Sequence, residues 1–428
     1  MARGINDGQI SIGNEFTNIE LRKVLARDGE HVEISSPREA ADTHRERRAT
    51  TMLRGVRGVG EQGKMVETPH LLIDVLRMKN NIEKMSDLAR ELGVRLRPHV
   101  KTHKIPKLAR EQLEAGAAGI TVAKVSEAEV MAGDGIRDIF IAYPLVTDSK
   151  IERALRLCEG INLTVGVDSL EGARRLSELA ASAGHTIDAR LEVDTGLKRT
   201  GVIRSEAAEL AFKIATLKNL NLSGIYTYRG AVLEDGSPTL DLKRAGLQEG
   251  ELMVSLANRI RERGIKIEDV SLGSTPTAAF AGEVEGVTEI RPGTYIFYDR
   301  MQVRLGACSF EECAATVAVT VVSRPSKDLA IVDGGSKTFA TDVPPDREPL
   351  NLKGFGHVVG YPHAVLERLT EEHGMLRVTA GDALKVGDTL QIIPNHVCST
   401  VNLHDEVDFV DESGATERVV VAARGKLE

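Results

Sequence analysis

Residues 97–104 read Arg97-Pro-His-Val-Lys-Thr-His-Lys104. Besides Arg97, four basic side chains, His99, Lys101, His103 and Lys104, crowd around one proline. A lysine amine becomes nucleophilic only after losing its proton, and neighbouring cations and partial burial favour that loss. Lys101 in this setting reads as a Schiff-base lysine; a basic surface loop is the plain alternative. A second cluster is Pro394-Asn-His-Val-Cys-Ser-Thr-Val-Asn402. On a strand His396 and Cys398 would point to the same side, because side chains alternate. Imidazole and thiolate are preferred zinc ligands, and two of them leave positions open for substrate and water. The alternative is a buried Cys and a half-exposed His with no metal. His404 and Asp405 read either as outer partners of such a metal or as surface residues.

These residues need a scaffold, and the chain is long enough for one. It has 428 residues and 42% hydrophobic content, enough for two or three domains with a sizeable core. There is no Trp and aromatics are 4%, which argues against base-stacking platforms. The net charge of −8 and the lack of a long basic run make nucleic acid and anionic membrane poor partners. No apolar run approaches the roughly 18 residues that span a bilayer, and no signal-peptide core is visible, so the expected location is the cytoplasm. Cys158, Cys308, Cys313 and Cys398 are scattered without a Cys-x-x-Cys pair, which favours free thiols over a disulfide framework.

Residues 1–64 are rich in Arg, Glu, Asp and Gly and end in Arg54-Gly-Val-Arg-Gly-Val-Gly-Glu-Gln-Gly63. They read as a disordered extension, with a partner-binding tail or a misplaced translation start as alternatives. Residues 71–92 carry apolar positions at helical spacing. Strand-like runs then recur near 94–100, 119–123, 138–143, 162–167, 189–193, 222–228, 268–273 and 289–298. Helix-like stretches alternate with them, including 105–117, 170–183 and 206–217; Ser169 is placed to cap the second. Eight strands in alternation predict a (β/α)8 TIM-type barrel over residues 65–300. An open doubly wound sheet also alternates, but no Gly-x-Gly-x-x-Gly follows the first strand. Short runs at 315–323, 329–332, 376–378, 389–393 and 418–423 predict a smaller β-rich domain over residues 301–428.

In a barrel the strand ends feed the catalytic face. Lys101 then follows the first strand, Arg199 the fifth, Tyr228 the sixth, and Gly273-Ser-Thr-Pro-Thr277 the seventh. The last is a small hydroxyl-rich turn where barrels often bind phosphate, although most such turns are plain turns. A phosphate cradle facing a reactive lysine is what pyridoxal phosphate (PLP) requires. Tyr298, at the end of the eighth run, is either a core residue or one that faces the cofactor; Asp299 reads as a turn residue. Glu371-Glu-His-Gly374 reads first as a helix C-terminal cap, with the lining of a site as the alternative, and Asp333-Gly-Gly-Ser336 first as a tight turn, with a contact to a neighbouring subunit's active site as the alternative.

Taken together, the chain resembles the fold-type III PLP enzymes, which pair an alanine-racemase-like barrel with a β-domain. Within them it is similar to the D-serine dehydratase and D-threonine aldolase group. The resemblance covers residues 66–428. It rests on Arg97–Lys104, Gly273–Thr277, Arg291-Pro-Gly-Thr-Tyr-Ile-Phe-Tyr-Asp299, Glu371–Gly374 and His396–Asn402. It implies that Lys101 carries the cofactor, that Arg199 partners its pyridine nitrogen, and that Gly273, Ser274 and Thr275 hold its phosphate. His99, Tyr228 and Tyr298 would line it, and His396 and Cys398 would bind zinc. A Cys at position 398 matches the dehydratase side, whereas the aldolase branch carries Asp there and suits manganese or magnesium. Tyr228-Arg-Gly230 departs from the Tyr-His-Gly-His pattern of some relatives. The implied activity is a D-serine ammonia-lyase acting on a D-β-hydroxy amino acid. A D-threonine-type aldolase is the first alternative; an amino-acid racemase and a non-catalytic PLP-binding protein are others. A homodimer is also implied.

Overall fold

The computed structural model describes residues 67–379 and 381–428; the extension expected at 1–64 lies outside the described residues. The chain first forms β1 (His70–Asp74), then α1 (Val75–Glu91). The helix expected from residue 71 begins later because the Asp74 carboxylate accepts the Arg77 N–H at 2.9 Å and caps it. The alternation then runs β2 (Arg95–Leu96), α2 (Pro106–Glu114), β3 (Ile120–Val122), α3 (Val125–Gly133), β4 (Asp138–Pro144), α4 (Asp148–Leu157), β5 (Asn162–Val167), α5 (Leu170–Ser182) and β6 (Ile187–Asp194). A two-residue spur, β7 (Val202–Ile203), pairs with β6. There follow α6 (Arg204–Ala215), β8 (Leu220–Tyr226), α7 (Leu242–Arg261), β9 (Asp269–Leu272), α8 (Ala278–Gly282) and β10 (Glu289–Ile290).

Eight of these strands pair in parallel in the order β2-β10-β9-β8-β6-β5-β4-β3. The two ends meet through a parallel bridge between His99 and Thr121, with Thr121 N–H donating to the Pro98 carbonyl at 2.8 Å. The sheet therefore closes into the expected barrel. β2 and β10 are short because Pro98 and Pro292 lack an N–H for the ladder. The eighth run, expected over 289–298, is a strand only at Glu289–Ile290 and turns into a helical turn at Thr294–Ile296. Aliphatic residues of strands and helices, such as Ile139, Val165, Leu191, Ala211 and Leu256, pack into one buried cluster around the barrel.

The barrel also encloses a buried ion network. Arg97 Nε donates to Glu289 Oε2 at 2.8 Å, Arg190 reaches Glu289 Oε1 at 2.5 Å and Asp269 Oδ2 at 2.6 Å, and Ser271 Oγ donates to Glu289 Oε1 at 2.7 Å. Burial alone would raise the Glu289 carboxyl, but the charges of Arg190 and Arg97 outweigh it and hold it well below the usual carboxylate range.

After α9 (Arg300–Leu305) come β11 (Ala315–Ser326), β12 (Leu329–Val332), β13 (Gly356–Val358), β14 (Val365–Leu369), β15 (Gly374–Arg377), β16 (Thr389–Pro394), α10 (Val397–Val401), β17 (Glu406–Val410) and β18 (Thr416–Val420). They form a second sheet ordered β14-β15-β12-β11-β1-β17-β18, with β16 joining β11 to β13. β1 is a strand of this sheet, antiparallel to β11 and parallel to β17. The segment expected to open the barrel domain thus belongs to the β-rich one, which is built from both ends of the described chain. Its Leu71 and Ile73 are buried with Val317, Ile392 and Phe409. Among the described residues no helix is long and apolar enough to cross a membrane.

Candidate active site

Lys101 sits on a single helical turn, Val100–Thr102, just past β2. Its surroundings differ from the crowd of cations expected from the sequence. His103 is fully buried, and burial pushes its imidazole down to about 4, so it is neutral. His103 Nε2 meets Gln112 Oε1 at 3.2 Å, Gln112 Nε2 donates to Tyr295 Oη at 2.8 Å, and Tyr295 N–H donates to Thr275 Oγ1 at 3.1 Å. This chain links the lysine turn to the Gly273 loop. Lys104 is also buried and pairs with Glu127 at 2.7 Å, which cancels its charge. His99 is buried and its imidazole is held well below its ordinary value, first by burial, then by Lys101, Arg291 and Arg199. The fixed cations that His99 feels besides Lys101 are therefore Arg291 and Arg199, not its sequence neighbours.

Tyr228 lies two residues beyond the end of β8. Its ring centroid is 5.3 Å from Lys101 Nζ and 5.2 Å from the Arg199 guanidinium carbon, so one ring brings these three predicted residues together. Arg199 owes its position to a tight loop after β6. Asp194 Oδ1 accepts the N–H groups of Gly196 and Lys198, and Thr200 Oγ1 donates to Glu192 Oε1 at 2.8 Å. Arg291, buried, donates from Nε to Ser271 Oγ at 2.8 Å and from its terminal amine to the Thr227 carbonyl.

The Gly273 loop follows β9 directly, with Gly273 at φ +80°, a conformation glycine adopts without strain. Ser274 Oγ lies 2.9 Å from Thr277 Oγ1. The stretch 291–295 runs between this loop and the lysine turn. His99 N–H donates to the Pro292 carbonyl at 2.9 Å, and a Cβ on Gly293 would stand 2.9 Å from the His99 carbonyl and 3.0 Å from Thr102 Oγ1. Only glycine allows that approach. Tyr298 takes the core option, packed with Leu96, Ala278, Ile290 and Cys313.

His396 and Cys398 do converge, but not on a strand. Pro394 ends β16, Asn395 is buried, and His396 is the N-terminal flank of α10. Asp299 explains the turn. Its Oδ2 accepts the Val397 N–H and its Oδ1 the Gln302 N–H, each at 2.9 Å, so one carboxylate caps two helices. Cys398 Sγ is 3.2 Å from Thr102 Oγ1, next in sequence to Lys101, and 3.6 Å from Thr294 Oγ1. Burial would raise the thiol, yet the charge and hydrogen bond of His396 outweigh it and lower it. Burial would likewise lower the His396 imidazole, yet the thiolate and Asp342 hold it well above its ordinary value. His404 turns away to the Thr338 carbonyl, and Asp405 to Arg424.

Two donor sets can be tested against the groups the sequence implies. His99 Nδ1 is buried without a hydrogen-bond partner, and Lys101, Arg199 and Arg291 all bear on it. An orphaned polar atom among three cations fits an acidic, phosphorylated cofactor. One imidazole and one thiol that share a proton fit zinc with open positions; among the described residues no group of three or more metal-ligating side chains occurs. Sequence reasoning missed Thr102, Thr294 and Asp342 as neighbours of the metal pair. Arg291 stood in a quoted motif without a role. Nothing local in the sequence marks Asp342, 54 residues from His396.

Residues 73–301 match the family described as "Alanine racemase, N-terminal domain", and residues 314–410 match the "Putative serine dehydratase domain". The chain is 34% identical to D-threo-3-hydroxyaspartate dehydratase from Delftia sp., over 78% of this chain and 92% of that protein. The solved structure of that enzyme superposes with a TM-score of 0.76 over 83% of this chain and 97% of its own. D-threonine aldolase from Filomicrobium marinum also superposes with a TM-score of 0.76, at 31% identity, over 85% and 97%. D-serine dehydratase from Dictyostelium discoideum is 28% identical over 81% of this chain and 94% of that protein.

Proposed function

The chain belongs to the fold-type III PLP-dependent enzymes, as a lyase of the group that holds the D-serine dehydratases and D-threonine aldolases, and from that premise we propose that it converts a D-amino acid with a β-hydroxyl, D-serine or a close analogue, to a 2-keto acid and ammonia. The observation that carries this reading is the Cys398 thiol, 3.2 Å from Thr102 and so beside Lys101, with His396 as its partner. Thiolate favours zinc over the harder manganese and magnesium. A cysteine-to-alanine mutant of a D-threo-3-hydroxyaspartate dehydratase is described in a metal-free form, which supports metal binding in that relative.

In this reading Lys101 holds the cofactor, Gly273, Ser274 and Thr275 hold its phosphate, and Arg199 partners its ring nitrogen. His99, neutral and buried, and Tyr228 line it. His396 and Cys398 hold zinc. Bound PLP supplies an electron sink for the α-carbon, and bound zinc a Lewis acid for the β-hydroxyl. Lys101 Nζ would serve as the base that takes the substrate α-proton. The Arg199 guanidinium has only donors, so it would present an N–H to the ring nitrogen. Loss of the α-proton and of the β-hydroxyl as water, followed by hydrolysis, would give the 2-keto acid and ammonia.

A panel of D-β-hydroxy amino acids, assayed with and without EDTA and added zinc, tests the reading. Keto acid and ammonia from D-serine, lost with EDTA and restored by zinc, is the expected result. Glycine and acetaldehyde from D-threonine with no keto acid would assign an aldolase instead. Lys101→Ala is expected to lower turnover by at least a thousandfold and to abolish the yellow Schiff-base absorbance.

A further inference from the structure

We propose that Asp342 is a positioning residue that decides which nitrogen of His396 binds the metal. The inference rests on the zinc reading of His396 and Cys398. Asp342 Oδ2 lies 2.7 Å from His396 Nδ1 and accepts Ser399 Oγ at 2.8 Å. An ionised carboxylate can only accept, so Nδ1 carries a ring proton, and Nε2 is the nitrogen whose proton a metal would displace. Nε2 is then the nitrogen left to act with Cys398 Sγ. A carboxylate behind a metal-bound histidine fixes the tautomer and the ring plane and raises the ring's basicity.

The Asp342 side chain is 47% exposed, but the backbone that carries it is tied to the ligand segment. Residues 338–342 run along α10 and are tied to it at several points. His404 Nε2 reaches the Thr338 carbonyl at 3.2 Å, and Ala340 N–H donates to Thr400 Oγ1 at 3.4 Å. His396, Ser399 and Thr400 stand at i, i+3 and i+4, so they share one side of the turn. The irregular segment 338–342 lies along that side and brings Asp342 to His396. On the other side of the ligand segment Asp299 holds the Val397 N–H. The backbone of the ligand helix and the ring of its histidine are thus fixed by two different aspartates from two different elements.

Zinc affinity of the full chain, measured by competition with a chelating dye, tests this. Asp342→Ala is expected to weaken zinc binding about 10- to 100-fold. Asp342→Asn, which keeps an acceptor for the Nδ1 proton, is expected to recover most of the loss. His396→Ala should lose far more. An Asp342→Ala variant that binds zinc as tightly as the wild type overturns the inference. So does one as defective as His396→Ala, since Asp342 would then be a ligand itself. Should Asp342→Ala fail to fold, nitrogen NMR of the His396 ring in the zinc-loaded wild type still decides: a proton on Nδ1 is expected, and a proton on Nε2 overturns the inference. A wild-type chain that binds no zinc removes the metal reading as well, and that arm separates the two failures.

Discussion

Under the proposed function Cys398 carries the choice of metal. Replacing it with Asp is expected to shift preference from zinc toward manganese, because carboxylate is the harder ligand; competition titrations with both ions check this. Around Lys101 the neutral residues matter as much as the charged ones. His103 is buried, with its imidazole pushed down to about 4 against an ordinary 6.5. The unfolded chain therefore binds a proton that the folded chain refuses between those values. The stability this residue contributes is complete above pH 6.5 and is lost as pH falls toward 4, roughly 3 kcal/mol in all. His103→Gln is expected to flatten the pH dependence of unfolding free energy in that window, as denaturant titrations at pH 4.5 and 7 would record.

At the scale of elements, the barrel positions the chemistry by close approach and by a buried charge network. The 291–295 stretch threads between the lysine turn and the Gly273 loop, and Gly293 makes it fit. Gly293→Ala is expected to cost about 1–3 kcal/mol, because backbone and Thr102 must move, and to weaken cofactor binding, as titration of the apo form with PLP would show. Glu289 neutralises Arg97 and Arg190 inside the barrel. Glu289→Gln leaves both cations short of a partner and is expected to destabilise by about 3–5 kcal/mol, read as a lower denaturant midpoint. The Asp333 turn is likewise structural: its Oδ2 accepts from Thr68 Oγ1 at 2.6 Å, and Ser336 N–H donates to the Thr370 carbonyl at 2.8 Å. The Glu371–Gly374 segment is the turn between β14 and β15 that it meets.

For the whole molecule, the second sheet brings His396 and Cys398 to the barrel, and the segment after β18 returns to brace the lysine turn. Ala423 N–H donates to the Lys104 carbonyl at 3.0 Å, and Ser126 N–H donates to the Glu428 carbonyl at 3.2 Å. A chain stopped after Val420 loses both contacts and is expected to melt several degrees lower, with a more exchange-labile lysine turn. The resemblance to two-domain relatives leads us to expect a homodimer; a monomer mass by light scattering would remove that expectation.

The sequence by itself determined the barrel, because strand and helix periodicities are local and alternate eight times. It also singled out Lys101, Arg199, Tyr228 and the Gly273 loop, since strand ends in a barrel face one way. It read residues 71–74 as the start of a helix, and His396 and Cys398 as lying on a strand. Periodicity cannot report that β1 pairs with β11, some 240 residues later, or that Asp299 caps the helix at Val397. Only the tertiary structure set the charges. His103 and Lys104 look like cations in a row of letters, and they lose that character through burial and through Glu127, which arrives from another helix. Only the fold put Cys398 against Thr102 and Asp342 behind His396, because side chains 296 and 54 positions apart meet by packing, and packing has no signature in spacing.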